Sequence, residues 1–224
     1  MIRFKMRKVF QSLLLVCSFF FSGHSLAQPF TGEIEQFKVE DQLHPPPANA
    51  ILFVGSSSFT KWKDVSSYFP GFTIINRGFG GSTLPDVIRY ASDIIIPYHP
   101  KQVVIYCGDN DLASADAITA DSVFERFRIL FALIRSGLPG ENIVYVSIKP
   151  SPSRAGLKEK MEKANLLIQT FLSLNQNTGF VDVYHKMLNP DGSLMTDIFL
   201  EDSLHMNAKG YAIWQKAIAP YLSK

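Results

Sequence analysis

The sequence predicts an α/β fold built on a parallel sheet with helices on both faces. Short apolar segments rich in β-branched residues alternate along the chain with longer segments whose apolar residues have helical spacing. The short segments are continuously hydrophobic, as in strands that are buried on both faces. Alternating strands and helices form βαβ units, which place their strands parallel in one sheet. The composition, 46% hydrophobic and 19% charged, supports a packed core and argues against disorder.

The chain contains five short segments that are interpreted as strands. Four are strongly apolar, and the fifth is weaker. In chain order they are 50–55, 72–76, 102–107, 142–148 and 179–184. Ligands of parallel sheets bind at the carboxyl ends of the strands, so functional residues are expected in the loops that follow these segments.

Three longer segments are predicted to be helices. The segment 121–137 has apolar residues at helical spacing and ends at Gly137, a residue type that commonly terminates helices. The segment 156–175 has a cluster of Lys and Glu, which we interpret as its solvated face. The segment 207–222 closes the chain as a helix. The sequence shows no internal repeat and no second domain, so residues 50–224 are expected to form one domain.

Residues 1–27 differ in kind from the rest of the chain. A basic start precedes an apolar run at 9–21, and Ser25 and Ala27 then occupy the −3 and −1 positions of a small-residue cleavage site. This pattern predicts a secretory signal peptide cut after Ala27, and hence a periplasmic or secreted protein. The alternatives are a membrane anchor, for which the run falls short of the roughly 20 residues that a span needs, and a lipoprotein anchored through Cys17.

Removal of this segment changes the sign of the net charge. The whole chain has 22 Lys and Arg against 20 Asp and Glu, and the loss of four basic residues leaves 18 against 20, a net charge of −2. The basic pI therefore belongs to the targeting segment and does not support nucleic-acid binding. Cys17 leaves with the segment, so Cys107 has no partner for an intramolecular disulfide and is expected to be buried in its apolar segment.

A polar lead-in occupies residues 28–49 and ends in HPPPANA. Three consecutive prolines cannot continue a helix and favour an extended path. The domain proper is therefore expected to begin near Ala50.

Polar residues follow three of the predicted strands and precede the last predicted helix. They are Gly55-Ser56-Ser57-Ser58, NRGFGGST at 76–83, GDND at 108–111, and Asp202 with His205 in LEDSLHMN. Each is weak evidence alone, because a serine after a strand is usually a helix N-cap and a glycine-rich loop is usually only a turn. Together they provide the parts of a nucleophilic site, since a serine needs an adjacent base and a carboxylate orients that base.

The spacing of Asp202 and His205 places both side chains on the same side of one turn. The acid can then hold one ring nitrogen while the other faces a serine. A glycine turn supplies an unhindered backbone N–H, and an asparagine supplies a side-chain amide. Both are suitable donors to the oxyanion that develops when a serine attacks a carbonyl carbon.

In this order the four motifs resemble those of the SGNH hydrolases, the GDSL-like lipase and esterase superfamily. VGSSSF resembles block I, INRGFGGST block II, YCGDND block III and DSLHMNAKGY block V. The resemblance spans residues 51–211, almost the whole mature domain. It implies a three-layer α/β/α sandwich of flavodoxin-like type with about five parallel strands, in agreement with the alternation of the segments.

The resemblance also implies roles for individual residues. Ser57 is the nucleophile, and Asp202 and His205 complete its triad. The oxyanion donors are the backbone N–H groups of Ser57 and Gly81 and the side-chain amide of Asn110. Neither a cofactor nor a metal is implied.

Two positions depart from the usual pattern of the superfamily. Ser56 stands where block I usually has Asp, which leaves three adjacent serines and makes Ser56 and Ser58 alternatives to Ser57 as the nucleophile. Ser82 stands where many members carry Asp in block II, a change that bears on how this loop is held.

Five further residues need an interpretation. Phe79, inside block II, is a candidate for lining the substrate pocket. Arg154 is a candidate contact for a substrate carboxylate or phosphate, with a structural salt bridge as the alternative. Asp111 is expected to hydrogen-bond within its own loop, and His99 and His185 are expected to be surface or structurally satisfied histidines.

Two other kinds of site find no support in the sequence. An α/β-hydrolase requires Gly-x-Ser-x-Gly, whereas Phe59 stands here in place of the second glycine. A calcium loop beginning at Asp109 would need further ligands at alternate positions, a glycine and a later glutamate, and LASADA does not supply them. We therefore expect no metal site.

These observations predict an exported serine esterase that acts on small-molecule or carbohydrate esters without a cofactor. The short chain shows no insertion for a lid, so short acyl groups such as acetyl are favoured. Lysophospholipase, thioesterase and aryl esterase activities are the alternatives within the family, and a non-catalytic binding protein on the same fold is the alternative of a different class. We expect no nucleic-acid partner and no membrane span after signal cleavage. The sequence does not define an oligomeric state.

Overall fold

The computed structural model describes residues 28–224, so the predicted signal peptide at 1–27 lies outside the described residues. Five strands form one sheet: β1 Ile51–Gly55, β2 Ile74–Gly78, β3 Gln102–Tyr106, β4 Asn142–Val146 and β5 Thr178–Val181. All neighbouring strands pair in parallel, in the order β2-β1-β3-β4-β5, which is the flavodoxin-like order. The predicted number of strands and their parallel arrangement are confirmed.

All five strands differ slightly in their bounds from the predicted segments, and local hydrogen bonds explain two of the differences. β2 runs from Ile74 rather than from residue 72, because the N–H of Phe72 is taken by a turn that precedes the strand. β5 ends at Val181, because Asp182 accepts a hydrogen bond from the backbone N–H of His185 and so begins a turn. In both cases local hydrogen bonding sets the end of a strand within a longer apolar segment.

Helices flank the sheet on both faces. They are α1 Thr31–Leu43, α2 Ser57–Thr60, α3 Val65–Tyr68, α4 Leu84–Ile94, α5 Asp109–Ser114, α6 Ala120–Gly137, α7 Lys158–Ser173 and α8 Ala208–Ile218, with 3-10 segments at Ile96–Tyr98, Pro152–Leu157, His185–Met187 and Ala219–Tyr221. α6 confirms the helix predicted at 121–137. The predicted helix 156–175 divides into a 3-10 segment followed by α7, and the one predicted at 207–222 begins after its capping residue Asn207. None of the helices between Gln28 and Lys224 is both long and apolar enough to span a membrane.

The sheet separates two hydrophobic cores, which makes the fold a three-layer α/β/α sandwich. Residues of β1 alternate between them: Leu52 and Val54 pack on one face, and Ile51 and Phe53 pack on the other. α1, α4, α6 and α7 cover the first face, and α2, α3 and α8 cover the second. Cys107 is buried in the first core, as expected, and burial raises the pKa of its thiol. The predicted fold class is therefore confirmed.

The sequence pattern does not predict α1 or α4. Thr83 caps α4 through a reciprocal pair of hydrogen bonds with Asp86. Pro85 lies in the first turn of α4, where a backbone N–H would have no intrahelical acceptor, so the helix loses no hydrogen bond to the proline. α1 lies in the polar lead-in and buries Ile34, while Asp41 near its end forms an ion pair with Arg77 of β2. The lead-in therefore packs against the rest of the fold.

Candidate active site

The carboxyl end of β1 brings a serine to the edge of the sheet. Gly55 ends the strand with φ 138°, and a Cβ there would lie 1.9 Å from the carbonyl oxygen of Tyr106 on β3. Only a glycine can therefore end β1 this close to β3. The N–H of Ser56 then donates to the same carbonyl at 3.0 Å, and Ser57 is the first residue of α2.

Ser57 belongs to a hydrogen-bonded chain that includes a histidine and a carboxylate from the far end of the sequence. Its Oγ is 2.9 Å from Nε2 of His205, although the two residues are 148 positions apart. Nδ1 of His205 is 2.6 Å from Oδ2 of Asp202. The structure thus brings the three predicted triad residues together, with the ring between the hydroxyl and the carboxylate.

Backbone hydrogen bonds hold the turn that carries Asp202 and His205. Oδ1 of Asp202 accepts the N–H groups of Leu204 at 3.0 Å and His205 at 2.9 Å, which leaves Oδ2 for the ring. The hydrogen bond from the His205 side chain is the main reason that the pKa of Asp202 lies well below its usual value, and the two backbone N–H groups lower it further. Asp202 is therefore ionised at neutral pH and can stabilise an imidazolium at His205.

Two of the three predicted oxyanion donors, Gly81 and Asn110, follow the strands on either side of β1. β2 and β3 flank β1, so the segments that carry Gly81 and Asn110 lie at the same edge of the sheet as Ser57. A Cβ built on Gly81 would be 3.7 Å from Nδ2 of Asn110. Nδ2 donates to the carbonyl of Ser82 at 3.1 Å, and an amide nitrogen has a second N–H to offer. Ser57 begins α2, and the first backbone N–H groups of a helix have no intrahelical acceptor.

Phe79 does not occupy the position expected of a pocket residue. Its side chain is wholly buried, with the ring centroid 5.3 Å from that of Phe30 and 6.1 Å from that of Tyr90. The expectation that Phe79 lines the substrate pocket is therefore corrected. Its apolar ring is accommodated in the core under α1 and α4, while the glycines that follow it form the surface of the loop.

Arg154 contacts the loop that carries Asn110. Nη1–H donates to the carbonyl of Asp109 at 2.7 Å, and Nη2–H donates to Oδ1 of Asn110 at 2.9 Å. The residue is half-buried in the 3-10 segment after β4. Both acceptors are uncharged, so Arg154 makes structural hydrogen bonds here instead of the salt bridge that was the alternative. The expected contact of Arg154 with a substrate carboxylate or phosphate stays a prediction.

The two neighbouring serines are placed differently from Ser57. Ser56 and Ser58 are buried, with 0% and 2% of their surface exposed. The Oγ of Ser56 has no hydrogen-bond partner among residues 28–224, and the carbonyl of Ser58 accepts the hydroxyl of Tyr211 at 2.9 Å. Of the three serines, it is Ser57 that His205 contacts.

Asp111 binds two other elements instead of its own loop. Oδ2 accepts the N–H of Leu84, the first residue of α4, at 2.9 Å, and Oδ1 accepts Nη1–H of Arg126 on α6 at 2.7 Å. The expectation of bonding within the loop is wrong, because this carboxylate is wholly buried and finds its donors on the helices that enclose it. Burial raises the pKa of Asp111, and its two donors oppose that rise.

Within the described range 28–224, no three His, Cys, Asp or Glu side chains form a group that could hold a metal ion.

A second Asp-x-x-His pair lies at the end of β5. Nδ1 of His185 is 2.8 Å from Oδ2 of Asp182, whose Oδ1 accepts the N–H of His185 at 3.1 Å. The side chain of His185 is 70% exposed, so it is the surface histidine that was expected, with a partner that the sequence analysis did not assign. His99 ends a 3-10 segment in the left-handed region, with φ 42°.

Two residues outside the motifs contact the segments that carry Gly81 and Asn110, and no motif in the sequence marks them. Oε1 of Glu33 on α1 accepts the N–H of Gly80 at 2.9 Å. Lys149, on the loop after β4, is 1% exposed, and its Nζ is 3.9 Å from Oδ2 of Asp109. Burial lowers the pKa of Lys149, and Asp109 opposes this. Neither residue carries a sequence signal, because a Glu in a polar helix and a Lys in a loop are usually solvated.

An open cleft of about 780 Å³ lies beside His205. Its apolar walls are Leu112, Leu157 and Leu204, and its polar walls are Asp116, Arg154 and Asp202. Binding sites for small molecules combine apolar walls with a few polar groups in this manner. The cleft can therefore receive a small substrate next to the histidine.

A model of the GDSL-like lipase/acylhydrolase family matches residues 53–213. This range begins before Ser57 and extends past His205, so it contains the three predicted triad residues together with Gly81 and Asn110. None of the curated protein sequences matches the chain.

Several solved structures share the fold at low sequence identity. A GDSL-like lipase from Bacteroides thetaiotaomicron is 22% identical, with 84% of this chain and 96% of that chain covered and a TM-score of 0.70. A Streptococcus pneumonia protein provisionally described as a platelet activating factor is 21% identical, with 86% and 92% covered and a TM-score of 0.74. A catalytic serine-to-alanine mutant of an acetylxylan esterase from Geobacillus stearothermophilus is 16% identical, with 78% and 95% covered and a TM-score of 0.60. At these identities the likeness concerns the fold.

Proposed function

Because the chain belongs to the GDSL-like lipase/acylhydrolase family, whose members hydrolyse esters, we propose that it is a serine esterase acting through an acyl-enzyme on Ser57. The observation that carries this proposal is the relay from Oγ of Ser57 through His205 to Asp202, with distances of 2.9 and 2.6 Å. The acetylxylan esterase of the same fold, whose catalytic mutant replaces a serine by alanine, supports the choice of a serine nucleophile.

The proposed reaction begins with the activation of Ser57. A serine hydroxyl is a weak nucleophile at neutral pH and needs a base to take its proton. Nε2 of His205 accepts the proton while Oγ attacks the carbonyl carbon of the ester. The ionised carboxylate of Asp202 holds the ring in the required tautomer and stabilises the imidazolium that forms.

Negative charge then develops on the carbonyl oxygen of the substrate. The backbone N–H groups of Ser57 and Gly81 and the second Nδ2–H of Asn110 are the donors to this oxygen. Collapse of the tetrahedral intermediate breaks the ester C–O bond, and His205 gives its proton to the leaving alcohol. Water, deprotonated by the same histidine, then attacks the acyl-enzyme, releases the acid and restores Ser57.

Labelling by an organophosphorus fluoride tests the serine mechanism. We expect the wild-type protein to be labelled at Ser57, and Ser57→Ala and His205→Ala to lose both the label and, by several orders of magnitude, the esterase kcat. The matched controls Ser56→Ala and His185→Ala remove a buried hydroxyl and an exposed imidazole, and both should keep label and activity. An unlabelled wild-type protein without esterase activity would favour the non-catalytic binding protein, and near-normal activity of Ser57→Ala would exclude this nucleophile.

For substrates, we propose short acyl esters such as acetyl groups on carbohydrate. The cleft beside His205 is open and partly polar, and one protein of the same fold is an acetylxylan esterase. Hydrolysis rates on p-nitrophenyl esters from acetyl to dodecanoyl test this choice. We expect the highest kcat/KM at the shortest chains, whereas a maximum at long chains would point to the lysophospholipase alternative. Thioester and aryl ester substrates test the other two alternatives.

We also propose that the protein is exported to the periplasm or secreted. The basic start, the apolar run and the small residues at the −3 and −1 positions within residues 1–27 support this. N-terminal sequencing of the protein recovered from the cell envelope or the medium is expected to begin at Gln28. Recovery of the uncut chain from the cytoplasm alone would contradict export.

A further inference from the structure

The side-chain amide of Asn110 is held at both of its ends. Nδ2 donates to the carbonyl oxygen of Ser82 at 3.1 Å, and Oδ1 accepts Nη2–H of Arg154 at 2.9 Å. A carbonyl oxygen can only accept a hydrogen bond, and a guanidinium can only donate. The chemistry of the two partners therefore allows a single orientation of the amide, in which Nδ2 faces the loop of Ser82 and Gly81.

Arg154 is itself held against the loop that follows β3. Nη1–H donates to the carbonyl of Asp109 at 2.7 Å, so the planar guanidinium spans two successive residues of that loop. Oδ1 of Asp109 in turn accepts the backbone N–H of Asn110 at 2.9 Å, and Nζ of the buried Lys149 lies 3.9 Å from Oδ2. The orientation of the amide thus depends on a side chain that a separate hydrogen bond, to the carbonyl of Asp109, holds in place.

The segment that carries Arg154 also contacts the turn between Asp202 and His205. Its neighbour Ser153 donates a backbone N–H to the carbonyl of Ser203 at 3.0 Å. One short 3-10 segment therefore touches the turn that holds the base and the amide that faces the oxyanion loop.

We propose that Arg154 is a positioning residue that keeps Nδ2 of Asn110 directed at the substrate oxyanion. The proposal rests on the proposed esterase function of this site. Without Arg154, Asn110 keeps its place in the chain, but its amide can rotate and present Oδ1, an acceptor, to the developing negative charge. The loss should appear in kcat, because the affected hydrogen bond forms in the transition state. KM should change little.

A double-mutant cycle with p-nitrophenyl acetate tests this role. Asn110→Ala is expected to lower kcat on the order of 10² to 10³-fold, as for other oxyanion donors. Arg154→Ala should lower kcat on the order of 10-fold or more, up to the effect of Asn110→Ala. In the Asn110→Ala background, Arg154→Ala should cost less than about 3-fold, because the group on which it acts is gone.

Two further variants separate positioning from a general structural effect. Arg135→Ala is the matched control, since Arg135 is also half-buried and donates to backbone carbonyls, including that of Glu141 at 2.6 Å, at the opposite end of β4. It should leave kcat within about 2-fold of wild type, even where thermal unfolding shows a loss of stability. Arg154→Lys, which retains the charge but cannot span both acceptors, should fall between wild type and Arg154→Ala.

Other outcomes overturn the proposal. If the effects of Arg154→Ala and Asn110→Ala multiply, or if Arg154→Ala raises KM at constant kcat, Arg154 contacts the substrate directly. Full activity in Arg154→Ala overturns the positioning role and leaves the esterase function intact. If the wild-type protein takes no label at Ser57, the proposed function fails as well, so the two failures are distinguishable.

Discussion

Asp202 and Asp182 make the same local hydrogen bonds, yet only one of them lies in the candidate active site. Each carboxylate accepts the N–H of the residue three positions later and contacts Nδ1 of that histidine, at 2.6 Å for Asp202 and 2.8 Å for Asp182. The side chain of His205 is 13% exposed and reaches Ser57, whereas that of His185 is 70% exposed. The short motif therefore builds an Asp–His pair, and the surrounding fold brings one of the two pairs against a serine.

At the scale of the residue, we expect Asp202→Asn to lower kcat on the order of 10³ to 10⁴-fold. Asparagine can keep the turn but cannot hold the tautomer or stabilise the imidazolium of His205. Asp182→Asn is the matched control and should leave kcat unchanged, because His185 has no part in the proposed reaction. Steady-state kinetics on p-nitrophenyl acetate measure both variants, and equal losses in the two would contradict the assignment.

At the scale of the element, the packing of α8 positions the turn that carries His205. Asn207 caps α8, and its N–H donates to the carbonyl of Ile198 at 3.0 Å, which closes the loop before the helix. A Cβ added to Gly210 would lie 2.7 Å from that carbonyl oxygen and 2.8 Å from Cβ of Met206. The Gly of the DSLHMNAKGY motif therefore permits the close approach of helix and loop.

Gly210→Ala sets two effects against each other. An alanine within a helix is favoured over glycine by about 1 kcal/mol, whereas overpacking against a backbone oxygen costs about 1 to 3 kcal/mol. We expect the steric effect to prevail, because the Ile198 carbonyl belongs to the loop held by Asn207. Stability in urea and kcat should both fall. Gly140→Ala, where a Cβ would meet nothing within 4 Å, should change neither, and a Gly210→Ala variant as stable and active as wild type would contradict this packing argument.

The lead-in helix α1 supports the site in a similar way. Glu33 accepts the N–H of Gly80, and a Cβ on Gly80 would be 2.4 Å from Cε1 of Phe30. α1 thus covers the loop that carries Gly81. A segment whose sequence resembles a polar linker therefore supports the loop that carries Gly81.

At the scale of the whole molecule, one buried carboxylate joins three helices. Asp111 on α5 accepts hydrogen bonds from Leu84 at the start of α4 and from Arg126 on α6. The Asp111 side chain is 0% exposed, while that of Arg126 is 28% exposed. The loop after β3, with Asn110 beside Asp111, is therefore anchored in the helical layer.

Arg126→Ala leaves the carboxylate of Asp111 buried without its ion-pair partner. We expect the free energy of unfolding at pH 7 to fall by about 1 to 3 kcal/mol, less than the 3–5 kcal/mol of a fully buried pair because Arg126 is partly solvated. Arg128→Ala, which breaks an exposed pair with Glu125, should cost no more than about 1 kcal/mol.

The pH dependence of the Arg126→Ala effect has a definite sign. Burial already raises the pKa of Asp111 above its usual 3.8, and loss of Arg126 raises it further. The folded variant then binds a proton that the unfolded chain does not bind, so its stability relative to wild type improves as pH falls from 7 towards 4. Urea unfolding at pH 7 and pH 5 measures this. If the difference in unfolding free energy between Arg126→Ala and wild type grew from pH 7 to pH 5, this expectation would be contradicted.

Hydrophobic patterning predicted the sheet and three helices, and it failed where other forces set the structure. Continuous apolar strands and the motifs at their ends are properties of short segments, so they could be recognised in order along the chain. α1 buries little more than Ile34 and exposes 53% of Val39 and 69% of Leu43, so it has no clear apolar face. The prediction that Phe79 lines the pocket relies on its neighbours in sequence, which include Gly81, whereas its ring packs in the core.

The linear sequence was sufficient for the α/β class, the order of the motifs, and the pairing of Asp202 with His205, because each depends on residues close together in the chain. It assigned the nucleophile to Ser57 only through the family resemblance, with Ser56 and Ser58 as alternatives, and it could not place Phe79 or show that Arg154 holds Asn110. Those facts depend on contacts between segments up to 148 positions apart. Such contacts exist only when the parallel sheet brings the ends of β1, β2, β3 and β4 to one edge. There the fold points Ser57 at His205 and buries the serines on either side.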